Sequence, residues 1–216
     1  MLLLLLVAAV DPVELLERIA ERYAAATDYD LLVESTTSNR TDGGADKYRY
    51  SLAASWPRRL FASEESLRNE KFELSLGADG QSSWAWDPRG KRYTRNSGEV
   101  LQLKQIHHRF FHRFALLARM PGVTAAARGY AKVNGVRCQV IRLEAAQEQW
   151  TEDLCVDAAA ALVRRSVFYS QRDFGLTKVR TTTVWREIRI GPEVPAERFQ
   201  FTPPDGARRT NLLEWR

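Results

Sequence analysis

The sequence predicts an α+β domain that is mainly β, with ten or eleven short antiparallel strands forming a sheet or barrel beside two amphipathic helices. Three observations predict it. Tyr48, Tyr50, Leu52, Ala54 and Trp56 alternate strictly with Arg49, Ser51, Ala53 and Ser55, the pattern of a strand with one covered face. Similar short runs are punctuated by Gly, Pro, Asp and Asn at roughly eight- to twelve-residue intervals, as in antiparallel sheets and barrels. Only two stretches, around 12–24 and 99–120, carry apolar residues at helical spacing.

The chain begins MLLLLLVAA. That run is too short to span a bilayer, which takes about 20 apolar residues. It resembles the apolar core of a secretory signal peptide with Val7-Ala8-Ala9 as a small-residue cleavage site, although a basic start is missing. Residues 1–10 are therefore expected to be the remnant of an export signal, the alternative being the apolar beginning of a helix, and 11–216 a single domain. Asp11-Pro12 suits an N-cap and first helical position. Leu15, Leu16, Ile19 and Tyr23 then form one stripe, with Glu14, Glu17, Arg18, Glu21 and Arg22 on the other side, so a first amphipathic helix follows.

Strands come next. Tyr29–Thr37 is β-branched and apolar, and a Gly-containing turn at 39–46 leads into the alternating run ended by Pro57. Arg58–Ser63 resumes it, Phe72, Leu74 and Leu76 alternate again, and Asp79-Gly80 turns the chain into 82–87, where Trp84 and Trp86 share a face. Pro88-Arg89-Gly90 precedes a short strand at 92–95.

A second helix is expected from Glu99 to Met120, closed by Pro121-Gly122. Leu103, Ile106, Phe110, Phe114 and Leu117 form its apolar stripe, widened by Phe111. Its polar side is read as His107, His108, Arg109, His112 and Arg113. His108 and His112 stand at i, i+4, a spacing that can hold zinc. No Glu lies between them to serve as a base, and an exposed basic helix face is the simpler account, so no metal is assigned.

The segment 132–169 reads as three consecutive strands, Val133–Leu143, Gln149–Val156 and Leu162–Tyr169. Centring the first hairpin between Ala146 and Gln147 pairs Leu143 with Trp150, Ile141 with Glu152 and Cys138 with Cys155. The chain's two cysteines would then face each other at a distance a disulfide can bridge; as an alternative they are two small buried hydrophobes. The last long strand is Thr177–Ile190, with Val179, Thr181, Thr183 and Trp185 on one face, and a final short strand is expected at Glu197–Thr202 before Pro203-Pro204.

Composition narrows the function. A chain of 216 residues with 44% hydrophobic residues is ordinary for one globular domain. Thirty-two basic residues against 27 acidic ones give +5, but the basic residues are scattered through strands, so no nucleic-acid partner is expected. There is no Gly-x-Ser-x-Gly elbow, no phosphate-binding glycine loop and no CxxC pair. Glu152 and Asp153 are neighbours on a strand and point to opposite faces, so they cannot act as a carboxylate pair. No enzyme activity and no cofactor are expected.

The run Val194-Pro195-Ala196-Glu197-Arg198-Phe199-Gln200-Phe201-Thr202-Pro203-Pro204-Asp205-Gly206-Ala207 resembles the F-x-F-T-P-P-x-G-A ending of the periplasmic outer-membrane lipoprotein carrier (LolA/LolB-like) superfamily. The opening helix with Tyr23, the segment from Asp79-Gly80 through Trp84-Ala85-Trp86-Asp87 to Tyr93, and Leu154-Cys155-Val156-Asp157 followed by Leu162-Val163-Arg164-Arg165 fit the same pattern in order. The basic, histidine-bearing second helix and the two cysteines depart from the best-known carriers. The resemblance implies an unclosed antiparallel β-barrel wrapped around the helices. It also implies a periplasmic location, a lipoprotein acyl chain or phospholipid as cargo, and a membrane partner protein; a monomer is expected.

Burying apolar surface yields roughly 25 cal/mol per Å², so an acyl chain in such a hollow would gain several kcal/mol. The residues expected to line it are Tyr50, Leu52, Trp56, Phe72, Leu74, Trp84, Trp86, Phe110 and Phe114, each of which would serve equally well as an ordinary core residue. Two functions follow: a carrier or chaperone for acyl chains, or a non-enzymatic envelope sensor or protein-interaction domain of the same fold.

Overall fold

The structure is a computed structural model that describes residues 10–39, 44–68, 73–95, 99–172, 177–191 and 193–211. The signal-like run 1–9, Phe72 and the tail beyond 211 lie outside the described residues. Helix α1 spans Pro12–Ala24 and α2 spans Glu99–Phe110, followed by a 3₁₀ segment at His112–Arg119. The strands are β1 (Asp28–Asn39), β2 (Ala45–Ser55), β3 (Arg59–Ser66), β4 (Glu73–Asp79), β5 (Ser83–Asp87) and β6 (Arg92–Arg95) in the first half. The second half supplies β7 (Val123–Val133), β8 (Val136–Ala145), β9 (Trp150–Asp157), β10 (Leu162–Arg172), β11 (Thr177–Ile190) and the two-residue β12 (Arg208–Arg209).

All twelve strands form one sheet in the order β12-β6-β5-β4-β3-β2-β1-β11-β10-β9-β8-β7. Every pairing is antiparallel except β12 beside β6. The sheet does not close, and β12 and β7 are its edges. The helices pack on one face only. Leu15, Leu16, Ile19 and Tyr23 of α1 share a single core with Leu103 and Phe110 of α2, with Phe114 and Leu117, and with inward residues from β1 to β5 and β8 to β11. Asp11 caps α1 as expected, its Oδ1 accepting from the amides of Val13 and Glu14 at 2.9 and 3.2 Å.

The opposite face carries the charges, paired across strands. Glu34 meets Arg49 and Arg186, Arg142 meets Asp153, and Arg189 meets Asp30. This is how these basic residues fit into strands, each taking the polar side of the alternation beside a carboxylate.

Four expectations need correction. Val123–Val133 is a strand that the sequence did not announce. It is a mostly exposed edge with no apolar alternation, and its ladder bulges between Ala127 and Tyr130. The run expected as one strand from Val133 begins instead with a hairpin turn. Asn134 and Gly135 have φ of 49° and 83°, the left-handed pair that the tight Asn-Gly hairpin requires. In the next hairpin Ala145 pairs with Trp150 and Leu143 with Glu152, a register two residues from the expected one. Val140, not Cys138, is therefore the direct neighbour of Cys155. The cysteines are nonetheless joined by a disulfide, diagonally across β8 and β9, with Cα atoms 5.3 Å apart. Finally, Glu197–Thr202 is no strand; Ala196–Phe199 makes a 3₁₀ turn on the face away from the helices, where Phe199 packs with Ala53 and Val194.

Candidate functional site: a cleft beside the second helix

The expected long second helix is broken. It ends at Phe110, Phe111 leaves helical geometry (φ −137°, ψ −68°), and the chain continues as a 3₁₀ segment. The break changes which histidines converge. His107, expected on the exposed side, is fully buried, while His108 is exposed. Tyr29 Oη lies 2.7 Å from His107 Nδ1 and 3.0 Å from His112 Nε2, and His107 Nε2 lies 3.0 Å from the Phe61 carbonyl. A carbonyl only accepts, so His107 carries its proton on Nε2 and its Nδ1 accepts from Tyr29. The Tyr29 oxygen in turn accepts from His112 Nε2–H. Both imidazoles are neutral in this chain. Burial lowers the pKa of His107 from 6.5 to about 3 and that of His112 to about 4, with a smaller effect of neighbouring His108 on the latter. Burial likewise pushes the Tyr29 hydroxyl far above its usual range. No group of three side chains able to hold a metal exists among the described residues, and the facing nitrogens of His107 and His112 are already engaged.

The break also aims Arg113 inward. Its guanidinium meets Glu152 of β9 with both ends, at 3.1 and 2.6 Å, and Ser166 Oγ donates to the same carboxylate. Glu152 is buried whereas Asp153 pairs outside with Arg142, the opposite facing expected from the alternation.

Two of the hollows among the described residues concern the helix-bearing face, beside α2 and beyond it. The smaller, about 290 Å³, lies between the end of α2 and β10–β11, bordered by Arg109, Phe110, Arg113, Phe168, Thr181 and Trp185. The larger, about 700 Å³, lies toward the end of the sheet where Ala145, Trp150, Ser170 and Val179 meet Lys178 and Arg180. Phe168, its ring 5.8 Å from Trp150, stands between them. A volume of 700 Å³ falls within the range of small-molecule pockets, about 300–1,000 Å³.

Of the nine residues expected to line a cavity, six lie on the helix-bearing side. Leu52, Phe114, Tyr50 and Leu74 are buried in the main core, Trp56 packs at its margin against His112, and Phe110 borders the smaller hollow. Trp84 and Trp86 are a correction. They share a face as expected, but it is the other face: between them Ala85 enters the main core, while Trp84 stacks on Phe201 at 4.8 Å and donates to the Phe199 carbonyl at 3.0 Å. The C-terminal segment covers them, and this accounts for the Phe199-Gln200-Phe201 motif: both rings seal the back of the sheet. Of the residues that border the hollows, Phe110 was expected to do so, the Val179–Thr181–Thr183–Trp185 row was marked only by the alternation of β11, and Trp150 and Phe168 were not marked as lining.

Residues 121–213 match the family described as predicted periplasmic protein (DUF2092). No curated protein matches the sequence. Among solved structures, that of MucB is similar at 12% identity and a TM-score of 0.54, covering 90% of this chain; the chain spans 64% of the length of MucB. An uncharacterised conserved protein from Thermus thermophilus is similar at 13% identity and a TM-score of 0.50, covering 92% of this chain and 98% of that one. The LolA superfamily protein NE2245 from Nitrosomonas europaea aligns over 89% of this chain and 99% of its own, at 13% identity and a TM-score of 0.39. At such identities the likenesses speak to fold alone. The open sheet with its helices on one face is thus a fold this chain shares with MucB and the Thermus thermophilus protein, and the family matched by residues 121–213 is described as periplasmic.

Proposed function

We propose that this protein is a periplasmic carrier or chaperone, without enzymatic activity, that shelters an acyl chain of a lipid or lipoprotein in the hollow of an open half-barrel. The observation that carries this reading is the larger hollow, about 700 Å³, with Ala145, Trp150 and Val179 among its walls at the end of the helix-bearing face. The centre of that face is filled by α1, α2 and the 3₁₀ segment, so cargo enters beside the helices and not beneath them. Covering hydrocarbon there yields roughly 25 cal/mol per Å², enough for reversible capture of a single chain. The test is lipid extraction and native mass spectrometry of protein purified from the periplasm. Stoichiometric bound lipid supports the proposal, and protein that stays free of lipid after incubation with phospholipid and with acylated peptide ends it.

A second reading has its own support. Leu52 and Phe114 are wholly buried, and a filled interior suits a domain that docks a protein. MucB, similar in fold, has also been solved in complex with MucA(peri). A sensor or interaction domain would capture one envelope protein while remaining empty of lipid.

A further inference from the structure

We infer that the smaller hollow, beneath Arg109, is a subsite for the negatively charged group of an amphiphile whose apolar part lies toward Trp150 and Val179. This rests on the acyl-sheltering reading above and adds to it the charge and orientation of the ligand.

The two hollows are furnished differently. Around the smaller one the sheet presents hydroxyls, Thr181 and Thr183 of β11 and Ser166 of β10, the two threonines backed by Thr37 and Ser35 of β1. Thr37 and Thr181 are 3.1 Å apart, and Ser35 and Thr183 are 3.5 Å apart. Such a surface suits hydrocarbon poorly, because covering a hydroxyl that lacks a good partner is unfavourable. A hydroxyl rotates to donate or accept, so paired threonines can turn a donor toward a ligand oxygen. Ring faces border the same space, from Phe110, Phe168 and Trp185. Rings above hydroxyls match the junction of a tail with a polar head.

The charge follows from the two arginines. Arg113 is neutralised by Glu152 at 2.6 Å. Arg109 forms no ion pair among the described residues; its guanidinium lies 4.9 Å from the Phe110 ring centre and 6.0 Å from that of Tyr50. Contact with ring faces does not use up guanidinium N–H donors, and a planar fork of such donors binds an oxyanion with two parallel bonds. The nearby carboxyl of Glu64 accepts from Tyr50 Oη at 3.3 Å and makes no ion pair with Arg109 among the described residues; burial raises its pKa, against smaller lowering effects of Tyr50 and Arg109. One positive charge is left at the mouth of a hydroxyl-bearing hollow.

The test compares dodecyl phosphate, dodecanol and inorganic phosphate, each below any micellar concentration, by isothermal titration calorimetry with the intact protein. The expected result is that dodecyl phosphate binds about tenfold or more tighter than dodecanol, the worth of one charge-assisted hydrogen bond, while inorganic phosphate gives no measurable heat. Arg109→Gln should erase that preference, and Arg109→Lys should keep part of it. Arg109 is exposed on α2, so neither variant threatens folding. Dodecyl phosphate and dodecanol binding equally, or Arg109→Gln keeping the preference, overturns the inference while sparing the acyl-sheltering reading. Binding of inorganic phosphate as tight as dodecyl phosphate overturns it in favour of a free-anion site. Binding of neither amphiphile removes both readings together.

Discussion

Tyr29 Oη donates to Nδ1 of the buried His107 across 2.7 Å, and this contact fastens the second helix to the first strand. The same oxygen receives His112 from beyond the helix break, so one hydroxyl holds both sides of the discontinuity. Tyr29 also stacks on Phe111, ring centres 3.8 Å apart. Tyr29→Phe keeps that stack and removes only the hydroxyl. It leaves the His107 acceptor and the His112 donor without their partner, and such orphaned groups cost about 1–3 kcal/mol. The variant should lower the urea midpoint accordingly with an unchanged m-value. A midpoint equal to that of the parent would show that the chain of hydrogen bonds contributes nothing.

The neutral histidines set a pH dependence. In the unfolded chain each titrates near 6.5; in the folded protein burial holds His107 down at about 3 and His112 at about 4. Below about pH 6.5 the unfolded state therefore binds more protons than the folded one, and stability falls as pH falls. Stability should be steady above about pH 7 and decline progressively from about pH 6.5 toward about 4. The charged and titratable groups around the pair are His108, which lowers the His112 pKa, and Tyr29, which stays protonated throughout. Urea denaturation at about pH 7.5 and about pH 5 reads the effect. In His107→Gln the loss between these two values should shrink, and an identical loss would assign it to other groups.

The disulfide joins residues 17 apart in sequence on neighbouring strands. Cross-linking a loop of this size stabilises by about 3 kcal/mol through the restricted unfolded chain. Both cysteines are buried on the face away from the helices, beside Val133. Cys138→Ala/Cys155→Ala should therefore melt at a lower temperature while retaining the far-UV dichroism of a β protein. The hollows lie on the other face, so acyl binding should survive. Loss of binding in a folded double variant would place the bridge closer to the cargo than this geometry does.

Much of the fold was legible because alternation is a local signal. The inward rows of β2, β4 and β11, the Asp11 cap and the opposite facing of Glu152 and Asp153 all follow from period and position. Phase was harder. Trp84 and Trp86 could be placed on one face, but which face depended on the C-terminal segment, far away in sequence, covering the back of the sheet. Gly77 beneath Trp84 held a clue that only the register of β4 against β5 makes readable. The edge strand β7 escaped because an exposed edge needs no apolar row. His107 escaped because its burial depends on the Phe111 break and on Tyr29, which no helical periodicity encodes.

Gly77 offers a direct test of that back surface. A Cβ added there would land on the Trp84 indole, which is itself pinned by Phe201 on one side and by its bond to the Phe199 carbonyl. Gly77→Ala must displace the ring or the strand, and overpacking of this kind costs about 1–3 kcal/mol. Pairing it with Trp84→Leu should recover part of the loss, since the smaller side chain vacates the space. Equal stability of Gly77→Ala and parent would mean that Trp84 does not rest on Gly77.

The Arg113–Glu152 pair separates structure from function near the cleft. Glu152 is buried and Arg113 is half-shielded, so removing one charge strands the other. Glu152→Gln keeps the shape and one hydrogen-bond acceptor but leaves the guanidinium without its counter-charge; breaking a buried pair costs about 3–5 kcal/mol, and less where one partner reaches water as Arg113 does. A loss of about 2 kcal/mol is the expected outcome. Replacing both residues, as Arg113→Met/Glu152→Leu, should cost far less than the single change, because two apolar side chains of similar volume need no charge compensation. Acyl binding should persist in that double variant, since neither residue borders the larger hollow. If the double variant is as unstable as Glu152→Gln alone, the contribution of Glu152 lies in its bond from Ser166 and not in its charge.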